Sequence, residues 1–195
     1  DDITAEDAYE KAGILAEFGK IVCISVGFIS ENESSRNLRL KSYYGSDERQ
    51  ILSEFSDLLN NHFNTRDHML CAHNGKEFDF PYIARRLIIN DLPLPSSLDI
   101  AGKKPWEVNH LDTMELWKFG DYKHYTSLSL LTNIFGIPTP KDDISGADVS
   151  RVFWEEKDVD RIAAYCEKDV VATVQVMMKY RRESFIAEED IKSVN

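Results

Sequence analysis

Two carboxylates and a phenol stand where this sequence could do chemistry. Asp79 lies in "HNGKEFDFPYIARRL" (73–87), between Phe78 and Phe80, where an apolar stretch gives way to a helical pattern. Tyr165 and Asp169 lie four residues apart in the last long periodic segment. A carboxylate held out where a strand ends is a hard oxygen ligand for a divalent cation. A phenol one helical turn from a second carboxylate adds a hydrogen-bond donor on the same side of a helix. Each feature also has a plainer account. An aspartate before Phe-Pro caps a helix, worth about 1 kcal/mol, and a tyrosine with an acid four residues on can be the polar margin of a core stripe.

The last helix gives those margins a direction. With Val159 at zero and about 100° per residue, Ile162, Ala163, Cys166, Val170, Thr173, Val174 and Met177 fall within roughly 60° of one direction. That is the expected core stripe. Tyr165 and Asp169 fall at roughly 240° and 280°, along one edge of it. There they can face a cleft while the helix stays anchored.

The remaining elements follow from periodicity and punctuation. Residues 5–18 read as weakly helical. "KIVCISVGFI" (20–29) and "NLRLKSYYG" (37–45) read as hairpin strands around the polar turn "SENESSRN" (30–37). "SDERQILSEFSDLLNNHF" (46–63) reads as a helix capped by Ser46, with Ile51, Phe55, Leu58 and Leu59 on one face. "HMLCAHN" (68–74) reads as a short buried strand. "DFPYIARRLIIN" (79–90) reads as a helix with proline in its first turn, where a missing N–H is harmless.

After a proline-rich loop (91–109), "HLDTMELW" (110–117) reads as a strand, and "SLSLLTNIFGIP" (127–138) as a helix ended by Gly136 and Pro138. "PKDDISGADVSRVFWEEKD" (140–158) reads as loop and short helix, and 159–182 as the last helix. Strand–helix–strand alternation implies an α/β domain with a partly parallel sheet and an antiparallel hairpin edge.

Composition narrows the function. The chain has 195 residues and a formal net charge of −11, and 43% of it is apolar. That length suits one domain with a sizeable core. No run of about 18 apolar residues is present to span a membrane, and no secretory signal leads the chain. Three cysteines, Cys23, Cys71 and Cys166, lack Cys-x-x-Cys spacing and suit a reducing cytoplasm better than a zinc or disulfide framework. Cys23 and Cys71 read as buried small hydrophobes.

The acidic balance argues against broad coating of a nucleic-acid duplex. It leaves room for a grip on a few nucleotides with a local cationic rim. Lys103-Lys104, Lys118 with Lys123-His124, and Arg85-Arg86 are the candidates for that rim. Gly-x-Ser-x-Gly, Gly-x-Gly-x-x-Gly and P-loop patterns are all absent, which disfavours an α/β hydrolase or nucleotide-binding domain.

The conjunction of Asn74, the single Phe78-Asp79 pair and the later Tyr165-x-x-x-Asp169 resembles the second and third motifs of the DEDD exonucleases, in the branch that uses tyrosine. "HNGKEFDFPYIARRL" is similar to the proofreading exonuclease domain of family B DNA polymerases and its stand-alone bacterial relatives. "EFGKIVCISVGFI", "HLDTMEL" and "SLSLLTNIFGIP" share that likeness, which covers about residues 17–182. Ala164 stands where the histidine-using branch would place its histidine.

The resemblance implies an RNase H-like α/β fold with a mixed central sheet, a hairpin edge and flanking helices. It implies a 3′–5′ exonuclease using two Mg²⁺ or Mn²⁺ ions, about 3.5–4 Å apart in such sites. Its substrate would be the 3′ end of single-stranded DNA, with RNA left open and no membrane partner. Asp79 and Asp169 would be catalytic metal ligands, and Tyr165 would orient water and phosphate. Asn74 and Phe78 would touch substrate, a core role for Phe78 being the alternative.

One motif is missing. The family's first motif, Asp-x-Glu on a strand, has no match in "DDITAEDAYEKAGIL" (1–15). The chain opens on Asp1-Asp2 without methionine, so the resemblance implies a single domain over 1–195 whose first strand precedes Asp1. That strand would be central. Without it the sheet should be split and activity impaired, and a catalytically inactive module that binds nucleic acid or a partner is the competing expectation.

Overall fold

The computed structural model describes residues 12–31, 36–65, 67–121, 123–138 and 144–194. Strand β1 (Cys23–Glu31) pairs antiparallel with β2 (Arg36–Tyr44), Cys23 opposite Tyr44 and Ser25 opposite Ser42. The tip of their expected turn, 32–35, lies outside the described residues, as does most of the weak helix read over 5–18. Residues 13–18 form turns, with Leu15 N donating to Ala12 O at 3.1 Å and Gly19 N to Leu15 O at 2.8 Å.

Period-two alternation gives the hairpin two faces. Ile24 and Tyr43 point to one side, where helix α1 (Glu48–His62) packs Ile51, Leu52, Phe55 and Leu59 against them. Leu38 and Leu40 point to the other. Asp47 caps α1, accepting from Gln50 N at 3.1 Å, one residue later than the expected Ser46. The shift leaves Glu48 in the first turn, where its side chain turns inward and accepts from Ile21 N at 2.7 Å.

After β3 (Cys71–Ala72) comes α2 (Asp79–Ile89), then β4 (Leu111–Asp112), α3 (Thr113–Lys118), α4 (Leu128–Phe135) and the long α5 (Val159–Arg181). Strand β5 (Ile191–Ser193) runs parallel to β2, and no strand was expected there. "HLDTMELW" is mostly helix, not strand. Asp112 stops the strand by accepting from Met114 N and Glu115 N, which starts α3.

The architecture is mixed α/β, but the described strands make two sheets rather than one central sheet. One is β1-β2-β5 and the other is the parallel pair β3-β4, with Cys71 opposite Leu111. Among the described residues, no strand joins β1 to β3. Cys71 is exposed rather than buried, and on α5 every residue from 165 to 171 is only half-buried.

The expected stripe on α5 therefore holds only in part. Ile162, Ala163 and Met177 are buried, whereas Cys166, Val170, Thr173 and Val174 are half-buried. Toward its C-terminus the buried face turns to Ala172, Gln175, Val176 and Met178, because α4 packs Leu131 against Val176 and Gln175 binds the backbone of Ile186. The helix crosses the hairpin at Gly27, where a Cβ would meet Val170 Cγ1 at 2.8 Å. Among the described residues no helix is long and apolar enough to cross a membrane.

Candidate functional site

The segment before Asp79 is held by backbone and by one buried acid. Asn74 takes a left-handed conformation, φ 65°, which an asparagine tolerates better than most residues. Phe78 N then donates to Asn74 O at 3.0 Å and Phe80 N to Gly75 O at 2.9 Å, so the chain coils into α2 without a side-chain cap. Phe78, not Asp79, is the capping residue. Asp79 is the first residue of the helix itself, and its carboxyl is met by its own backbone N–H. The capping account of Asp79 is not what the structure shows.

Asp112 does the positioning. It is buried, and its Oδ1 accepts from Asn74 N at 2.9 Å while Oδ2 accepts from Lys76 N at 3.0 Å. With Met114 N and Glu115 N it receives four backbone donors, leaving little of it for any other ligand. The sequence reading missed this residue. Its signal was there: an aspartate followed three residues later by glutamate is a helix-start pattern.

His73 completes the brace. Its Nε2 donates to Thr126 O at 2.8 Å and its Nδ1 lies 2.9 Å from Thr113 Oγ1. Burial holds its pKa below the usual histidine value, so the ring is neutral and Nδ1 accepts the hydroxyl proton. Lys76 reaches Glu115 Oε2 at 2.6 Å and Lys118 reaches Glu77 Oε1 at 3.5 Å, tying α3 to the same loop.

Asp79 and Asp169 sit within electrostatic reach of each other. Burial raises the Asp79 carboxyl above the ordinary carboxylate range, and the charges of Asp112 and Asp169 raise it further. The Cys166 thiol records the same cluster. Its hydrogen bond with Cys23, its burial, the Cys23 charge, and then Asp169 and Asp79 all push its pKa upward. Asp79 is nonetheless exposed at the surface, with enough protein around its carboxyl for desolvation to act on it.

Tyr165 stands one turn before Asp169, half-buried against the cluster of Ile144, Val152, Phe153 and Ile162. Its phenol oxygen faces Gly146, 3.9 Å from where a Cβ would stand. Asn74 keeps its side-chain oxygen buried with no hydrogen-bond partner, a donor-seeking group beside the site. Phe78 is 43% exposed and its ring tilts against Tyr82 at 5.6 Å, so it is a surface ring and not a core one.

The cationic rim is smaller than the sequence suggests. Arg86 is buried in an ion pair, Nε to Glu48 Oε1 at 2.8 Å, and also donates to Ala16 O at 2.9 Å. Lys118 is held between Glu77 and the Tyr125 ring, whose centroid is 4.3 Å away. Lys103, Lys104, Lys123, His124 and Arg85 are exposed.

The donors suit a hard divalent cation in kind: oxygen ligands of like charge, one of them partly desolvated. They fall short in number. Among the described residues, no three His, Cys, Asp or Glu side chains converge as a metal cage. The family of predicted 3′–5′ exonucleases related to the exonuclease domain of PolB matches residues 14–191, well over half of the 195-residue sequence and all of the site just described, and the chain belongs to that family.

Proposed function

We propose that this protein removes nucleotides one at a time from the 3′ end of single-stranded DNA by metal-assisted hydrolysis, within an RNase H-like arrangement. The observation that carries the reading is the electrostatic influence of Asp169 on the Asp79 carboxyl, with Tyr165 one helical turn before Asp169, in a chain of this family. RNA remains an alternative substrate, since no contact here tests for a 2′-hydroxyl. Its three free thiols fit a reducing cytoplasm.

Asp79 and Asp169 would hold two Mg²⁺ or Mn²⁺ ions. When bound, such a pair activates water and neutralises the leaving 3′ oxygen. The protein's own residues do the positioning. Tyr165 donates a hydrogen bond that orients water and the scissile phosphate, since an ordinary phenol, pKa about 10, is a poor base at neutral pH. Asn74 and Phe78 contact the terminal nucleotide.

We infer that the family's first motif, Asp-x-Glu, is needed to complete this donor set. The split sheet and the two-carboxylate donor set support that view. They equally favour a second reading, an inactive module that binds nucleic acid or a partner.

The deciding experiment is digestion of a 5′-labelled single strand with Mn²⁺ or Mg²⁺. The exonuclease reading expects a ladder shortening from the 3′ end, stopped by EDTA and by Asp79→Ala. A strand left intact by folded, metal-loaded protein leaves the binding-module reading in place.

A further inference from the structure

Two of the most solvent-exposed aromatic side chains in the described residues are Phe119, 85% exposed, and Tyr125, 65% exposed. Both lie in the loop that follows α3. Phe119 holds a left-handed backbone, φ 43°, and Gly120 follows at φ 91°. Neither backbone preference nor core burial accounts for a phenylalanine there, because the conformation favours glycine and the ring stays in water.

This loop is fastened to the one that delivers Asp79. Lys118, next to Phe119, sits 3.5 Å from Glu77 Oε1 and 4.3 Å from the Tyr125 ring centroid. Thr126, next to Tyr125, accepts from His73 Nε2 at 2.8 Å. Glu77 lies two residues before Asp79, and His73 opens the same turn. The loop that carries the two rings is therefore tied at both ends to the segment that leads into Asp79.

We propose that Phe119 and Tyr125 form a stacking platform for the bases of a single strand behind its 3′-terminal nucleotide. This deepens the exonuclease reading and rests on it for the position of that terminal nucleotide. A base offers an apolar π face whatever its identity, so stacking holds a strand without reading its sequence. In a chain of net charge −11, stacking can grip a polyanion without a broad basic groove. Lys118 covers one side of the Tyr125 ring, and the exposed Lys123 places positive charge beside the strand's phosphates. Bases paired and stacked in a duplex cannot offer both faces, so the platform selects single strands.

The test uses the full chain with Mn²⁺ and a fluorescent thymidine oligonucleotide of about twelve residues, its linkages phosphorothioate to resist hydrolysis. The variant Phe119→Ala with Tyr125→Ala should bind this strand roughly 10- to 100-fold more weakly, at about tenfold per 1.4 kcal/mol of stacking lost. Binding of thymidine monophosphate should stay unchanged. Phe119→Tyr and Tyr125→Phe should retain the wild-type affinity, which separates stacking from folding.

Equal affinity of the double alanine variant and wild type for the oligonucleotide overturns the platform. So does a wild type that holds the oligonucleotide no tighter than the mononucleotide. A wild type that binds through the two rings yet never shortens an unmodified strand would sink the exonuclease reading and leave the platform standing.

Discussion

Asp79, in the first turn of α2, and Asp169, in the middle of α5, lie close enough that the charge of Asp169 helps hold the Asp79 carboxyl above its ordinary range, after burial itself and the charge of Asp112. Two carboxylates repelling each other, one of them partly desolvated, are a stored cost in the absence of a cation. Removing one should stabilise the metal-free protein. Asp79→Asn is expected to raise the melting temperature in EDTA by roughly a degree or two, solvent at the exposed Asp79 screening most of the repulsion.

The pH dependence fixes the sign. A carboxyl with a raised folded pKa contributes stability below its unfolded pKa and loses that contribution as pH rises through the folded value. The variant's advantage should thus vanish in acid and be full at neutral pH. Mn²⁺ should reverse the order, stabilising wild type by about 2.7 kcal/mol at a hundredfold excess over its Kd while leaving the variant little changed. Thermal melts across pH, with and without metal, check all three outcomes.

The buried pair Glu48–Arg86 governs the opposite pH limb. Burial alone would raise the Glu48 carboxyl. Hydrogen bonds from Arg86, Ile21 N and Asn90, with the Arg86 charge, outweigh it and hold the pKa below its ordinary value. A carboxyl lowered in the folded state contributes stability above its unfolded pKa, and that contribution is lost as pH falls through the folded value. Glu48→Gln leaves Arg86 buried without a counter-charge and should cost about 3–5 kcal/mol. Replacing both, Glu48→Leu with Arg86→Met, should cost less than the single change. Denaturant titration of the three chains at neutral and acid pH measures both effects.

What the sequence made legible follows from what is local. The hairpin, α1, α2, α4 and α5 announce themselves by periodicity, and the end of α4 by Gly136. The places of Asp79 at the start of α2 and of Tyr165 and Asp169 one turn apart on α5 were legible from punctuation and spacing. The failures are tertiary. "TMELW" carries apolar alternation, yet buried Asp112 turns it to helix by capping and by gathering the Asn74 and Lys76 amides. Arg86 looked like surface charge until Glu48 met it across two helices. The burial of α5 departs from one simple stripe because different neighbours take its two halves, and no periodicity encodes them.

Gly75 links the core to the site. A Cβ there would stand 2.4 Å from Ala72 Cβ and 3.3 Å from the Phe80 ring. Ala72 Cβ is fixed to its backbone, so the 72–80 turn itself would have to move. Gly75→Ala should cost about 1–3 kcal/mol as overpacking, and it should lower exonuclease activity by shifting Asn74 and Asp79. Unchanged stability together with unchanged turnover would show that the turn absorbs the methyl without displacing the carboxylate.

Tyr165→Phe separates positioning from packing. The ring lies on Ile144, Val152, Phe153 and Ile162, and phenylalanine keeps that contact. The melting temperature should move little. Loss of the hydroxyl should lower kcat by about 10- to 100-fold, the order that a misplaced reacting group costs. KM should hold, because the terminal nucleotide keeps its other contacts. The pH–rate profile should keep its shape, since a positioning phenol donates a hydrogen bond without titrating in the working range. Disappearance of a basic limb in the variant would assign Tyr165 a proton-transfer role instead. Tyr165→Ala, which removes the ring as well, should lower both turnover and stability, and the difference between the two variants isolates what the hydroxyl contributes.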